Sequence, residues 1–241
     1  MSHQLISFPN DVALAQEVAG RWLDELAARN NSATTYSVAL SGGRIAKTFF
    51  SEVVRQAREK PISFAGVHFF WADERCVPPT DPESNYAVAK QLLFEPLNIP
   101  EDQIHRIRGE EIEALALRDA VSNICSVTKG TREGQPVVDL ILLGMGEDGH
   151  VASLFPGEPE AVMESPDVYR AVTAVKPPPR RITMGYRTIA AAAKVWVLVS
   201  GAGKERALGE SLSPTGKTPL ARVLRQREKI VVFSDVLPAQ F

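Results

Sequence analysis

Short runs of β-branched and apolar residues recur along the chain, separated by longer stretches in which apolar residues return every three or four positions. The runs are Tyr36–Leu40, Val67–Trp71, residues 137–143, Lys194–Val199 and residues 229–233. Near-continuous apolar character over so short a length predicts strands buried on both faces. The amphipathic stretches, residues 11–29, 48–59, 85–94, 110–128 and 204–212, predict helices. Their alternation predicts an α/β fold, a doubly wound and mostly parallel sheet with helices on both faces. The proline run Lys176-Pro177-Pro178-Pro179 breaks the pattern and predicts an extended, structured loop, because consecutive prolines cannot sit inside a helix.

Composition narrows the reading. Hydrophobic residues make up 44% and charged residues 23% of 241 positions, enough apolar surface for a substantial core and far from the signature of disorder. No repeat or linker divides the chain, so one domain over residues 1–241 is expected. The 27 Lys plus Arg nearly balance the 29 Asp plus Glu, so no long-range positive field points to a nucleic-acid or membrane partner. Any anionic ligand must then be held by local groups. The first residues carry no basic stretch followed by a long apolar run, and no segment approaches the ~20 apolar residues of a membrane span. A soluble, cytoplasmic protein is the expectation. Cys76 and Cys125 stand in unrelated contexts without a second ligand at metal-site spacing, and are read as reduced thiols.

Parallel sheets bind ligands beyond the carboxyl ends of their strands, and the segments there are chemically unusual. After Leu40 comes Ser41-Gly42-Gly43-Arg44, a tight turn opening a helix, whose exposed N–H groups and dipole suit a phosphate. After Trp71 comes Ala72-Asp73-Glu74-Arg75, a charge cluster that is costly to order unless its members meet partners or a ligand. Asp81 or Ser84 is placed to cap the helix that follows. After Val199 comes Ser200-Gly201-Ala202-Gly203-Lys204, a second anion-binding candidate, with Arg181 in the split segment before it.

The richest segment is Gly144-Met145-Gly146-Glu147-Asp148-Gly149-His150. Its glycines match the dinucleotide pattern G-x-G-x-x-G, but Pro156, Pro159 and Pro166 forbid the long helix that pattern requires, and only Asp167 lies at the distance of the ribose-binding acid. What remains is a glycine-rich turn presenting two acids and a histidine. Among the four histidines, His150 alone occupies such a turn, and Asp148 stands two residues before it. An imidazole in water titrates near ~6.5, which suits a general base.

Together, Ser41-Gly42-Gly43, Asp73-Glu74-Arg75 with Ser84-Asn85-Tyr86, the segment from Gly144 to His150 continuing through Ser153-Leu154-Phe155-Pro156-Gly157, Arg181-Ile182-Thr183 and Gly203-Lys204 resemble the 6-phosphogluconolactonases over nearly the whole chain. That family shares its modified Rossmann-like fold with the glucosamine-6-phosphate deaminases. The resemblance implies hydrolysis of a phosphorylated sugar lactone, with no metal or redox cofactor required and with a monomer expected. On this reading His150 and Asp148, with Asp73 and Arg75, are the catalytic candidates. Ser41, Gly42, Gly43, Arg44, Arg181 and Lys204 hold the substrate and its phosphate. The oxyanion donor is left between Arg75 and backbone N–H groups of the 144–150 turn, and the division of labour between Glu147 and Asp148 stays open.

The chain also departs from the family pattern. Arg44-Ile45-Ala46 replaces the usual Ser-Thr-Pro, and Val151 replaces a threonine. The deaminases continue the Gly-Asp-Gly-His core with Phe-Asn-Glu where this chain has Ser153-Leu154-Phe155, so a carboxylate of that site is missing. A non-catalytic sugar-phosphate sensor is the alternative from another class; it needs the anion sites but not Asp148 and His150.

Overall fold

The computed structural model describes residues 3–29, 35–60, 62–128, 130–227 and 229–239. The first two residues of the N-terminal stretch, and the extreme ends of the expected 1–241 domain, lie outside them. Six strands form the main sheet: β1 His3–Ser7, β2 Tyr36–Leu40, β3 Val67–Trp71, β7 Leu140–Gly144, β10 Lys194–Val199 and β11 Ile230–Ser234. They lie in the order β1-β11-β10-β7-β2-β3 and every pairing is parallel. Two further sheets were not anticipated. β4 Asp73–Arg75, β9 Arg180–Met184 and β8 Tyr169–Thr173 form a three-stranded antiparallel sheet in the order β4-β9-β8. β5 Thr131–Arg132 and β6 Gln135–Pro136 make a small hairpin.

The five expected strands are present, β2, β3 and β10 with the expected ends and β7 and β11 shifted, while β1 was not anticipated. β2 is buried at every residue and β10 at all but its first, so both faces of the sheet are covered, as its apolar runs require. β7 begins at Leu140 rather than 137; just before it, the Asp139 carboxylate accepts the Ser37 N–H and Oγ–H at 2.8 Å each. The helices follow the predicted stretches. Helix Asp11–Ala28 starts on an Asn10 side chain that accepts the Ala13 N–H, and buries Leu14, Val18, Trp22 and Leu26 along one stripe. Helix Arg44–Glu59 begins one turn earlier than expected, directly from the glycine turn. Helix Asn85–Ala89 continues through a single π-helical turn, Lys90–Phe94.

Two features of the topology place the site. The chain leaves β2 toward β3 on one side, while β7, β10 and β11 build outward on the other, so the connections diverge between β2 and β7. Such a divergence opens a crevice beyond the strand ends. Ala72 then carries the chain from one sheet to the next: its N–H donates to Leu40 O in the main sheet and its carbonyl accepts from Met184 N of β9. The antiparallel sheet is thereby hung over the crevice. The Lys176–Pro179 stretch lies in the connection between β8 and β9; it is non-helical, as the prolines predict, but bent rather than extended.

Candidate active site

A cleft of about 360 Å³ occupies the crevice, within the size range of small-ligand sites. Ser41, Gly42, Gly43 and Arg44 line it from the turn after β2, Gly146, Glu147 and His150 from the turn after β7, and Lys204 from the turn after β10. The antiparallel sheet contributes Asp73, Arg75 and Arg181. Every predicted site residue except Asp148 is brought to this one cleft. Asp148 stands behind it and reaches the cleft only through His150.

The imidazole is held on several sides. Its Nδ1 lies 2.5 Å from Asp148 Oδ1, which also accepts the His150 backbone N–H at 3.1 Å. Desolvation raises the Asp148 pKa, but the His150 hydrogen bonds and charge outweigh it and leave the carboxyl below its usual range. A side-chain carbon on Gly146 would stand 2.0 Å from His150 Cε1, so only glycine leaves room for the ring. With Nδ1 committed, Nε2 is the nitrogen available to the cleft. Glu147 goes elsewhere: its side chain packs near Gly203 and its charge supports protonated Lys204. The sequence left the two acids unresolved, and the turn separates them.

The Asp73-Glu74-Arg75 cluster divides by strand alternation. Glu74 points away from the cleft and is buried, accepting the N–H groups of Arg75, Asn85 and Tyr86 and the Ser84 hydroxyl. Burial pushes its carboxyl up to about 7 against the pull of those N–H donors. It anchors the start of helix Asn85–Ala89, whose cap is Ser84 rather than Asp81. Asp73 and Arg75 face the cleft. Asp73 Oδ2 accepts from Ser153 Oγ at 2.7 Å, and Ser153 N–H donates in turn to Thr183 Oγ1. Asn85 Nδ2 donates to the Asp73 carbonyl, and its Oδ1 sits 1.9 Å from where a side-chain carbon on Gly42 would be, locking the two turns together.

Positive charge is concentrated in the cleft. Arg44, Arg75, Lys176, Arg181 and Lys204 face two lining carboxylates, Asp73 and Glu147, although the whole chain carries a net charge of −2. Two like-charge contacts stand out. Arg75 and Arg181 are direct cross-strand partners, an arrangement that destabilises a sheet unless an anion lies between them. Burial, then the charge of Arg75, lowers the Arg181 pKa. Arg44 lies against Gly201, and burial followed by the Arg44 charge lowers the Lys204 pKa. Helices Arg44–Glu59 and Glu205–Leu212 both start here without a side-chain cap, leaving their first N–H groups open to a ligand. Ser41 Oγ and Arg75 Nε are buried at the cleft and find no hydrogen-bond partner.

Sequence reasoning missed Lys176, Ser153 and Asn85. Lys176 comes from the proline loop, whose carbonyls at Pro178 and Lys176 accept from Arg181 at 3.0 and 3.2 Å. Asn85 stood within a motif already singled out, but its contact with Gly42 joins residues distant in the chain. Among the described residues no three His, Cys, Asp or Glu side chains are grouped as a metal site. Both cysteines are free thiols, and no described helix is long and apolar enough to cross a membrane.

Comparison with known proteins agrees with this architecture. A family model described as glucosamine-6-phosphate isomerases/6-phosphogluconolactonase matches residues 9–232. The 6-phosphogluconolactonase of Mycobacterium bovis is 34% identical over 219 residues, covering 88% of this chain and 87% of that one. The 6-phosphogluconolactonase of Haemophilus influenzae is 35% identical over 207 residues, covering 85% and 84%. The solved structure of 6-phosphogluconolactonase from Trypanosoma brucei superposes with a TM-score of 0.81 at 26% identity, over 97% of this chain and 96% of that one. With a family model over most of its length and relatives of this identity and coverage, the chain belongs to the glucosamine-6-phosphate isomerase/6-phosphogluconolactonase family.

Proposed function

We propose that this protein hydrolyses the lactone ester of 6-phospho-D-glucono-1,5-lactone to 6-phospho-D-gluconate, the lactone step of the oxidative pentose phosphate pathway. The observation that carries the reading is the pairing, in one cleft, of an Asp148-oriented imidazole with a surplus of positive charge over the two lining carboxylates. The relatives' names supply the substrate. A water molecule gives a proton to His150 Nε2 as its oxygen bonds to C1. The carbonyl electrons collect on the exocyclic oxygen; the tetrahedral intermediate then collapses, the bond from C1 to the ring oxygen breaks, and the imidazolium returns the proton to that oxygen. The carboxylic acid product ionises, releasing one proton per turnover.

Arg75 is the better oxyanion donor of the two considered. The N–H groups of Gly146, Gly149 and His150 are already spent within their own turn, whereas Arg75 Nε is buried and unpartnered. A donor fixed in place before charge develops is worth several kcal/mol, about 2.7–4 in measured cases. Asp73 keeps one carboxylate oxygen for a sugar hydroxyl. The phosphate sits at the two uncapped helix starts with Arg44, Arg181 and Lys204, where it neutralises the like-charge contacts and contributes binding and positioning rather than chemistry. Arg44 thus supplies by charge what the hydroxyls of the usual family loop supply by hydrogen bonding.

One continuous hydrophobic core running from Leu14 to Val236 supports a single catalytic domain. Free thiols suit a cytoplasmic setting. The decisive measurement is proton release on adding fresh 6-phosphogluconolactone, with the spontaneous rate subtracted. Acceleration by catalytic amounts of protein is expected, with no ammonia from glucosamine 6-phosphate. Ammonia release at a rate matching lactone hydrolysis would overturn the reaction class, and binding without turnover of either compound would leave a sensor.

A further inference from the structure

The ring of Phe155 touches both halves of the active site. Its centroid lies 5.0 Å from that of the His150 imidazole with the planes tilted by 47°, and the Arg181 guanidinium carbon lies 5.7 Å from the same centroid. Phe155 is only partly buried and, with Tyr186, Arg222 and Pro219, lines a second hollow of about 280 Å³. It is therefore not a core side chain that would be aromatic for packing alone.

We infer that Phe155 is a positioning residue for two groups at once, holding the His150 ring against Gly146 and the Arg181 guanidinium over the phosphate end of the cleft. The inference rests on the assignment of His150 as the base. A hydrogen bond to Nδ1 alone leaves the imidazole free to swing about the bond to its β-carbon. Asp148 is itself an exposed side chain on the same turn, with 53% of its surface accessible, and cannot supply a rigid frame. The ring is confined by surfaces: Gly146, where even one added carbon would collide with it, and the tilted Phe155 ring. On the guanidinium side, Arg181 has two carbonyl acceptors in the proline loop and one aromatic face. The face contact fixes the plane of the fork, which the loop carbonyls alone do not. One side chain thus ties the distance between base and phosphate to a single rigid ring. Displacement by about 1 Å costs as much as ~100-fold in rate when a reacting group must be aimed.

The test compares Phe155→Leu with Phe155→Tyr, using phosphorylated and unphosphorylated gluconolactone. Phe155→Leu is expected to lower kcat by about 10- to 100-fold on both substrates, the range a misaimed base produces. It should also raise KM by about threefold for the phosphorylated substrate only, in line with loss of a cation–π contact. Phe155→Tyr keeps the ring and should recover most of both losses. The NMR signal of the His150 Cε1–H, assigned with a His150 variant, should move in Phe155→Leu as the ring current disappears and the imidazole samples other rotamers. If Phe155→Leu loses activity equally on both substrates with KM and the His150 signal unchanged, the residue supports only the fold and the inference fails. Wild-type kinetics in Phe155→Leu overturn it as well. Failure of the underlying reading looks different: a folded His150→Ala protein that still turns over removes the base itself, whatever Phe155 does.

Discussion

One nitrogen of His150 is committed and the other is open, and the consequences of that asymmetry are measurable at single residues. Asp148 Oδ1 lies 2.5 Å from Nδ1, and in the proposed mechanism it fixes the tautomer that leaves the Nε2 lone pair for water and stabilises the imidazolium that results. His150→Ala is therefore expected to reduce kcat by about 10²–10⁴-fold with little change in affinity for the phosphorylated product. Asp148→Asn should also be damaging, since an amide neither stabilises the imidazolium nor enforces the tautomer. Turnover in both variants must be measured with spontaneous hydrolysis subtracted. Near-normal turnover in folded His150→Ala would pass the role to one of the two carboxylates that line the cleft, Asp73 or Glu147.

Among the elements, edge strand β3 carries a pH-sensitive attachment. Ile104 bridges to Phe69, the His105 N–H donates to the Phe69 carbonyl at 2.9 Å, and the His105 ring stacks on Phe70 while its Nε2 lies 2.8 Å from His68 Nδ1. Burial, then the charge of His68, lowers the His105 pKa from 6.5 to about 4, with Asp102 opposing. A folded-state pKa below the unfolded value means that the unfolded chain binds the extra proton. The stabilisation is thus complete above about 6.5 and is lost as pH falls toward 4. Glu74, raised to about 7, has the opposite sign: its contribution is lost as pH rises through that value. Comparing wild type with His105→Gln cancels the Glu74 effect. Denaturant unfolding from pH 7 to 4 should show a steeper loss of stability in the wild type, and equal slopes would refute the attachment.

The elements also show which structure was legible in the sequence. Five strands of the parallel sheet were readable because burial leaves an unbroken apolar run; edge strand β1, none of whose residues is fully buried, was not. β4 and β9 were not, since each presents charged residues to the cleft, and Asp-Glu-Arg over three positions reads as a loop. The turn after β7 stood out through its chemistry: glycines, acids and a histidine at a strand end have few structural uses. Phe155, Asn85 and Lys176 escaped because their importance lies in contacts made across the cleft. An isolated phenylalanine after a leucine carries no sign that it will face an imidazole.

At the scale of the whole molecule, a chain of slightly negative net charge opens a positive cleft at the divergence of its main sheet. Exposed charges are screened over about 8–10 Å at physiological salt. KM for the phosphorylated lactone should therefore rise with ionic strength, while that for unphosphorylated gluconolactone stays nearly flat, and Lys204→Ala should reduce the difference. The same charge surplus acts on the way out. Ring opening adds a carboxylate, so the molecule that must leave is more anionic than the one that entered, and it leaves past the same cluster of Arg44, Arg75, Arg181 and Lys204. Tight capture and rapid discharge are set against each other. At low salt, discharge of 6-phosphogluconate should limit turnover and the accumulating acid should compete with fresh lactone. Moderate salt should then raise kcat even as it raises KM, and a kcat that only falls with salt would show that the acid departs unhindered.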